Sequence, residues 1–291
     1  MIVAAGLVAA RFVHFAALTF IFGAGWAPTY ADLRPVADRL RGLRRLAAWL
    51  ALASAIGWFV FAVGSMVGSL SGAFAPAALI ASVRDMTFGR VSAIRMVGCA
   101  LLIILVSSPV QDRLERPAWL LAGALLASLA LTGHAQEEEG WALAAHGVAD
   151  ALHLLAAGLW LGALGVFVLL LTGPALSDEE SGRRALSRFS TTGIVSVLIL
   201  VATGLVNAVF LVGAPTALVS TPYGRVLTIK LLLFLAMVGL AAFNRRDLRS
   251  GAVSMRTLRR RVVVEQAMGA GVLLAVAILG TMPPAIMAGM G

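Results

Sequence analysis

The sequence predicts an all-α, polytopic integral membrane protein with eight transmembrane helices. Hydrophobic residues make up 60% of the 291 residues and charged residues only 13%, against roughly 45–50% and about 25% in soluble domains. The apolar residues gather into runs of about 20, the length that a helix needs to cross the hydrocarbon core of a bilayer. A soluble enzyme and a disordered chain are therefore excluded. A disulfide scaffold is excluded because Cys99 is the only cysteine.

Eight apolar runs qualify as spans, and we expect them to form a single membrane domain over residues 1–291. No connection between the runs is long enough to be a soluble domain. The connections 72–89 and 213–224 contain Gly, Pro, Ser and Thr, and they have room for short interfacial helices. The predicted spans are residues 8–31, 46–70, 90–108, 117–134, 142–172, 189–212, 226–243 and 262–282.

The basic residues predict the orientation of these spans. Of the 23 arginines and lysines, 17 lie in the first, third, fifth and seventh connections. Because cytoplasmic connections carry the excess of basic residues, both termini are predicted to be periplasmic. The first span has no charged leading segment and a strongly basic flank follows it, so we expect a retained anchor. Topology also explains the net charge of +9, and we expect no nucleic-acid partner.

The four histidines are the most informative polar residues, because this topology puts all of them at or below the outer face. His146, Asp150 and His153 are spaced i, i+4 and i+7, so they form one narrow stripe on the fifth span. His14 lies in the first span and His134 at the end of the fourth. A carboxylate between two imidazoles in a membrane is costly unless it pairs, binds an ion or orients a liganding histidine. Together they predict a metal or cofactor site, whereas each histidine alone is equally consistent with a bond to a neighbouring helix.

Methionines in the tail add a weaker indication of copper. Met282, Met287 and Met290 follow the last span, on the predicted outer side. Thioether and imidazole ligands together suit Cu(I), and imidazole also suits Cu(II). Packing is the alternative for each methionine, since this residue is a common filler of apolar helices.

Other polar residues in the spans have simpler explanations. Arg11 and Lys230 are expected to snorkel to the interface, and Asn207 to form a hydrogen bond between helices. Glu265 begins the last span on the cytoplasmic side, where interfacial solvation would explain it. The fifth span also carries a face of small residues that predicts close helix packing: Gly158, Gly162 and Gly165.

Several segments of the chain resemble the CopD/PcoD family of copper-resistance inner-membrane proteins. They are RFVHFAAL, LTGHA, HLLAAGLWLGAL, RFSTTGIVSVLILVATGLVNA and TPYGRVLTIKLLLFLAMVGLAAFNRRDL. The resemblance covers about residues 10–283 and is strongest across 186–249. It implies bacterial copper homeostasis in the inner (plasma) membrane, beside a small periplasmic copper-binding protein of the CopC type. Some relatives carry an attached CopC-like domain; this chain shows none, so a separate partner is implied.

His14, His134 and His153 lie in the quoted segments, and His146 and Asp150 lie within the range that the resemblance covers. The resemblance assigns copper to these five residues. Three functions stay open. In the first, copper from the periplasmic partner is caught at His134, His146 and the tail methionines, then passes to His14, Asp150 and His153 on its way to the cytoplasm. In the second, His14 and His153 ligate a b-type haem for electron transfer. In the third, the protein is a scaffold that docks a copper chaperone without transport.

Enzymatic activity is not expected of this chain. It contains no Walker A motif, no phosphorylation motif of an ATP-driven pump and no hydrolase triad. The copper oxidation state, Cu(I) or Cu(II), and the oligomeric state stay open.

Overall fold

The computed structural model describes residues 2–133, 140–172, 179–250 and 254–289. Within these ranges the chain forms eleven α-helices and no β-strand, so the predicted all-α class is confirmed. The helices are α1 (Ile2–Trp26), α2 (Ala37–Met66), α3 (Leu70–Ala73), α4 (Pro76–Asp85), α5 (Thr87–Ser107), α6 (Glu115–Ala127), α7 (Gly140–Thr172), α8 (Glu179–Leu211), α9 (Ala217–Ser220), α10 (Pro222–Ser250) and α11 (Met255–Leu279).

Seven of the described helices are long and apolar enough to cross a membrane: α1, α2, α5, α7, α8, α10 and α11. Each coincides with one of the predicted spans. The short helices α3 and α4 lie in and beside the connection 72–89, and α9 lies in the connection 213–224. The chain is therefore a multi-pass membrane protein, as its composition predicts.

The fourth predicted span, residues 117–134, differs from the other seven. Helix α6 has only 13 residues and continues as a 3-10 helix, Ser128–Thr132, so it is not among the long helices. Arg95 of α5 donates to the carbonyl oxygen of Ser128 at 2.9 Å and to Oγ1 of Thr132 at 3.1 Å. In a regular α-helix the carbonyl oxygen of Ser128 would instead accept a hydrogen bond from a backbone N–H of the same helix. The length of this segment alone does not confirm an eighth span.

Helix α1 occupies the centre of the bundle, where it packs against α2, α6, α7 and α11. It runs antiparallel to α2, because Gly6 meets the ring of Phe61 while His14 meets the carbonyl of Ala51. One apolar core joins α1 to α2, α5 and α6, and another joins it to α7, α8, α10 and α11. Phe20 of α1 packs against both cores.

Helices α1 and α7 run in the same direction and touch backbone to backbone. A Cβ atom on Gly162 would come within 2.2 Å of the carbonyl oxygen of Thr19 and 2.8 Å of the Cα of Gly23. Just beyond the end of α1, the ring of Tyr30 stacks on Phe167 of α7 at 5.2 Å between centroids. The close packing predicted for the small-residue face of the fifth span is therefore confirmed at Gly162.

Candidate metal centre between α1, α7 and α8

Two members of the predicted stripe on α7 pack against the last turns of α8. The His146 side chain is 2% exposed, and its ring stacks on Phe210 at 4.6 Å between centroids. Oδ1 of Asp150 accepts a hydrogen bond of 3.3 Å from Nδ2 of Asn207. The interhelical bond expected of Asn207 is thereby confirmed, and the stripe faces a neighbouring helix.

His153 is held one turn further along α7 by a directed hydrogen bond. Its Nδ1 lies 2.9 Å from Oγ1 of Thr203, and that hydroxyl donates to the carbonyl oxygen of Ile199 at 2.6 Å. Because the hydroxyl proton is already used, Thr203 accepts from His153, and we assign the imidazole proton to Nδ1. The lone pair of His153 is then on Nε2, the nitrogen left for a metal ion.

His14 shows the same arrangement between α1 and α2. Its Nδ1 lies 2.9 Å from the carbonyl oxygen of Ala51, which can only accept, and 3.2 Å from Oγ of Ser54. Nδ1 therefore carries the proton. Nε2 is completely buried and has no hydrogen-bond partner among the described residues. An unpaired buried acceptor is costly, and a metal ion bound at Nε2 would remove that cost.

His14 and His153 lie at the same depth in the bundle. His14 is nine residues before Gly23, and His153 is nine residues before Gly162, on parallel helices that meet at these two glycines. At a rise of about 1.5 Å per residue, each histidine is about 13 Å from that contact. The structure thus places His14 and His153, whose Nδ1 atoms are both engaged by neighbouring helices, at one level on adjacent helices.

Positive charge accumulates at this level. The guanidinium carbons of Arg11 and Arg95 lie 4.4 and 5.4 Å from the centroid of the Trp58 ring. Asp150 is close enough to interact electrostatically with Arg11 and with Lys230. The snorkelling expected of Arg11 is wrong: its side chain is 8% exposed, because the ring of Trp58 holds it inside the protein.

The predicted ligands are not gathered into one centre. Among the residues that the structure describes, no three His, Cys, Asp or Glu side chains lie close enough to hold one metal ion. Met282 is half-buried in an apolar cluster around Tyr223, and Met287 is 44% exposed. His134 and Met290 lie outside the described residues. The three described histidines therefore occupy separate positions: His146 lies nearest the N-terminal end of α7, and His14 and His153 lie further along the bundle.

The burial of Glu265 differs from expectation. Its side chain is 3% exposed and lies beside the indole of Trp160 of α7. Interfacial solvation is therefore the wrong explanation for this carboxylate.

Two family models match the chain. Residues 1–145 match the copper resistance protein D-like N-terminal domain, and residues 183–279 match copper resistance protein D. No solved structure matches.

Three curated relatives are similar to the chain. Copper resistance protein D of Pseudomonas syringae pv. tomato is 39% identical over 185 residues, which are 59% of this chain and 60% of that protein. Inner membrane protein YebZ of Escherichia coli (strain K12) is 29% identical over 289 residues, 95% of this chain and 98% of that protein. Copper transport protein CutJ of Bacillus subtilis (strain 168) is 30% identical over 164 residues, 55% of this chain and 29% of that protein.

Proposed function

Because the chain belongs to the copper resistance protein D family, as a multi-pass inner-membrane protein associated with copper, we propose that it takes copper from a periplasmic copper-binding protein and moves it toward the cytoplasm. One observation carries the proposal. His14 and His153 lie at one depth, and each has its Nδ1 occupied by a neighbouring helix and its Nε2 left for a metal. Second-shell bonds of this kind orient a liganding imidazole and fix its tautomer.

Copper moves between separate binding positions, which we call stations, and is not held permanently in one closed site. His134, His146 and the tail methionines Met282, Met287 and Met290 receive it at the outer face, and Asp150 lies between this entrance and the deeper histidines. The positively charged side chains near His14 and His153 lower the affinity of these two deeper stations for a copper ion. Weak binding at several sites suits transfer, since an ion held too tightly does not leave.

The topology of this proposal has eight spans and periplasmic termini in a single membrane domain. Helix α5 runs antiparallel to α2, because Phe59 stacks on Phe88 while Arg45 donates to the carbonyl of Val106. Since α2 is itself antiparallel to α1, helices α5 and α7 share the direction of α1. The chain between them has to return across the bundle, which supports α6 and its 3-10 extension as the eighth crossing.

The partner of this transfer is a periplasmic protein of the CopC type, and the surroundings of the spans are membrane lipid. Copper, as Cu(I) or Cu(II), is the cargo. The chain has no enzymatic role in this proposal. In this proposal the copper donor binds near the outer ends of α7 and α11, where His146 and Met282 lie.

The haem alternative gains no support from the geometry. Nε2 of His14 is enclosed by protein, and the ring contacts Trp58 edge-on at 5.8 Å between centroids. A haem macrocycle at this atom would need the helices to move apart, whereas an ion needs only a local adjustment. The surroundings of His14 therefore favour an ion.

Copper flux into proteoliposomes tests the proposal and separates transport from a docking scaffold. We expect the wild-type protein to carry copper and His14→Ala and His153→Ala to lose most of that flux. Asp112→Asn is the matched control, because this carboxylate is 82% exposed and remote from the stations. A wild-type protein that binds a copper-loaded donor but carries no copper would leave the scaffold as its function.

A further inference from the structure

A cavity of about 230 Å³ lies between α7, α8, α10 and α11, in the half of the bundle away from the candidate metal centre. Its walls are mostly apolar and aromatic and include Trp160 and Phe189. One end reaches Arg245 and Leu248, in the last turns of α10, where the chain enters its most basic connection. Glu265 contributes a carboxylate to the lining.

This carboxylate is buried in the apolar interior without a compensating charge. The Glu265 side chain is 3% exposed, and beside it lies the neutral indole of Trp160, which lines the same cavity. In the described part of the chain it forms no ion pair. A carboxylate in such surroundings is neutralised most cheaply by binding a proton.

The charged groups nearest to Glu265 along α10 and α11 are engaged elsewhere. Arg245 donates to Oγ of Ser190 at 3.0 Å. Arg261, one turn before Glu265, donates to Oδ2 of Asp247 at 2.6 Å. Neither arginine is therefore the counter-ion of the buried carboxylate.

Helices α1, α7 and α8 bring no further charge to this level. The residues that α7 and α8 contribute to the cavity wall are uncharged. His153 of α7 is seven residues from Trp160, about 10 Å outward along the helix. Arg11, the one charged residue of α1, lies beside Gly280 at the opposite end of α11. Glu265 is thus isolated at its depth.

Two further buried polar atoms lie on the helices around Glu265. Oγ of Ser196 and Oε1 of Gln266 are buried and have no hydrogen-bond partner among the described residues. Ser196 lies seven residues from Thr203 on α8, and Trp160 lies seven from His153 on α7, so the same antiparallel register places Ser196 opposite Trp160.

The donor chemistry around the cavity points to a proton as the ligand. Carboxylate, hydroxyl and amide oxygens are poor ligands for Cu(I), which prefers sulfur and nitrogen. A hard metal cation would need several oxygens converging on one point, whereas Glu265 offers a single carboxylate beside an indole. One carboxylate is sufficient to bind one proton.

From this geometry we propose that Glu265 is a proton-binding site that exchanges its proton with the cytoplasm through the cavity, and that its protonation is coupled to copper movement. The coupling step rests on the proposed function. Removing a proton from Glu265 creates a negative charge below the copper stations, which favours inward movement of the cation. Protonation removes that charge and releases the ion.

Labelling with N,N′-dicyclohexylcarbodiimide tests the proton site without copper, because this reagent modifies protonated carboxyl groups in apolar surroundings. We treat the purified full-length protein near pH 7 and map the modified residues by mass spectrometry. We expect modification at Glu265, a decline of that modification as the pH rises, and no modification at the exposed Asp112. A folded protein in which Glu265 is not modified, or is modified no more than Asp112, would overturn the site.

Copper flux under an imposed pH gradient tests the coupling. One proton exchanged per copper ion allows a change of up to about tenfold in copper accumulation per pH unit. We expect this response in the wild-type protein and in Asp112→Asn, and its loss in Glu265→Gln, which mimics the protonated state and keeps the size of the side chain. A gradient response that persists in Glu265→Gln would overturn the coupling. If the wild-type protein carries no copper at all, the proposed function fails and the coupling with it, while the labelling still decides the proton site.

Discussion

Gly162 of α7 lies directly against the backbone of Gly23 of α1, at the point where these two parallel helices touch. His14 and His153 both lie nine residues before this contact. The glycines therefore set the register that places the two histidines at one depth. Close packing of a membrane helix pair and the geometry of the candidate metal centre depend on the same contact.

Gly162→Ala is expected to destabilise the protein and to weaken copper binding. The added Cβ would meet the carbonyl oxygen of Thr19 at 2.2 Å, so the helices have to separate. Overpacking of this kind costs about 1–3 kcal/mol, which thermal unfolding in detergent measures. Gly147→Ala on the same helix is the control, because nothing lies within 4 Å of its Cβ position. Equal unfolding of both variants would contradict the close contact.

Thr203→Val is expected to lower copper affinity while the fold is kept. The substitution preserves the shape of the side chain and removes the oxygen that accepts from Nδ1 of His153. Loss of an orienting partner typically reduces metal affinity about 10–100-fold. Competition with a copper chelator measures the change. The variant Thr203→Ser keeps the hydroxyl group and should bind copper as the wild type does. If Thr203→Val binds copper as tightly as the wild type, the bond does not orient a ligand.

Asp150→Asn tests whether this carboxylate serves the metal or only balances a buried cation. If it serves the metal, the single variant should bind copper about 10–100-fold more weakly, because a group that orients the liganding imidazoles is lost. The same variant also leaves Arg11 and Lys230 without the negative charge that faces them, so a second variant is needed to separate the two roles. Arg11→Gln combined with Asp150→Asn removes one cation together with the carboxylate. Normal copper binding by the double variant would show that Asp150 only balances Arg11, and would leave the histidines to act alone.

The membrane topology is tested by fusions at the C-terminus. Because 17 of the 23 basic residues lie in the predicted cytoplasmic connections, we expect an alkaline phosphatase fusion to be active and a green fluorescent protein fusion to be dark. The opposite pair of results would reverse the orientation, and would place the histidine stations on the cytoplasmic side.

The fold could be predicted to a large extent from the sequence, because a bilayer imposes a simple rule. Apolar runs of span length had to become helices, and the seven long helices coincide with predicted spans. The segment after Glu115 was harder to predict, since it is divided between an α-helix and a 3-10 helix whose carbonyl bonds to Arg95. A tertiary contact decided that division, and no local pattern encodes it.

The candidate site could be predicted only in its residue types. The i, i+4, i+7 spacing predicts that His146, Asp150 and His153 share a face, and each of the three contacts a residue of α8. The burial of Arg11 and Glu265 could not be predicted, because a charged residue near the end of a span can point either to the interface or to the core. The neighbouring helices decide, through the ring of Trp58 for Arg11 and the cavity wall for Glu265.

Metal analysis and an absorption spectrum on one purified sample test the central claim most directly. We predict that the wild-type protein loaded with copper and washed retains the metal and shows no Soret band. His14→Ala and His153→Ala should each retain substantially less copper while the protein still folds. A Soret band in the purified protein, or unchanged copper content in both folded variants, would contradict the assignment of these two histidines to copper transfer.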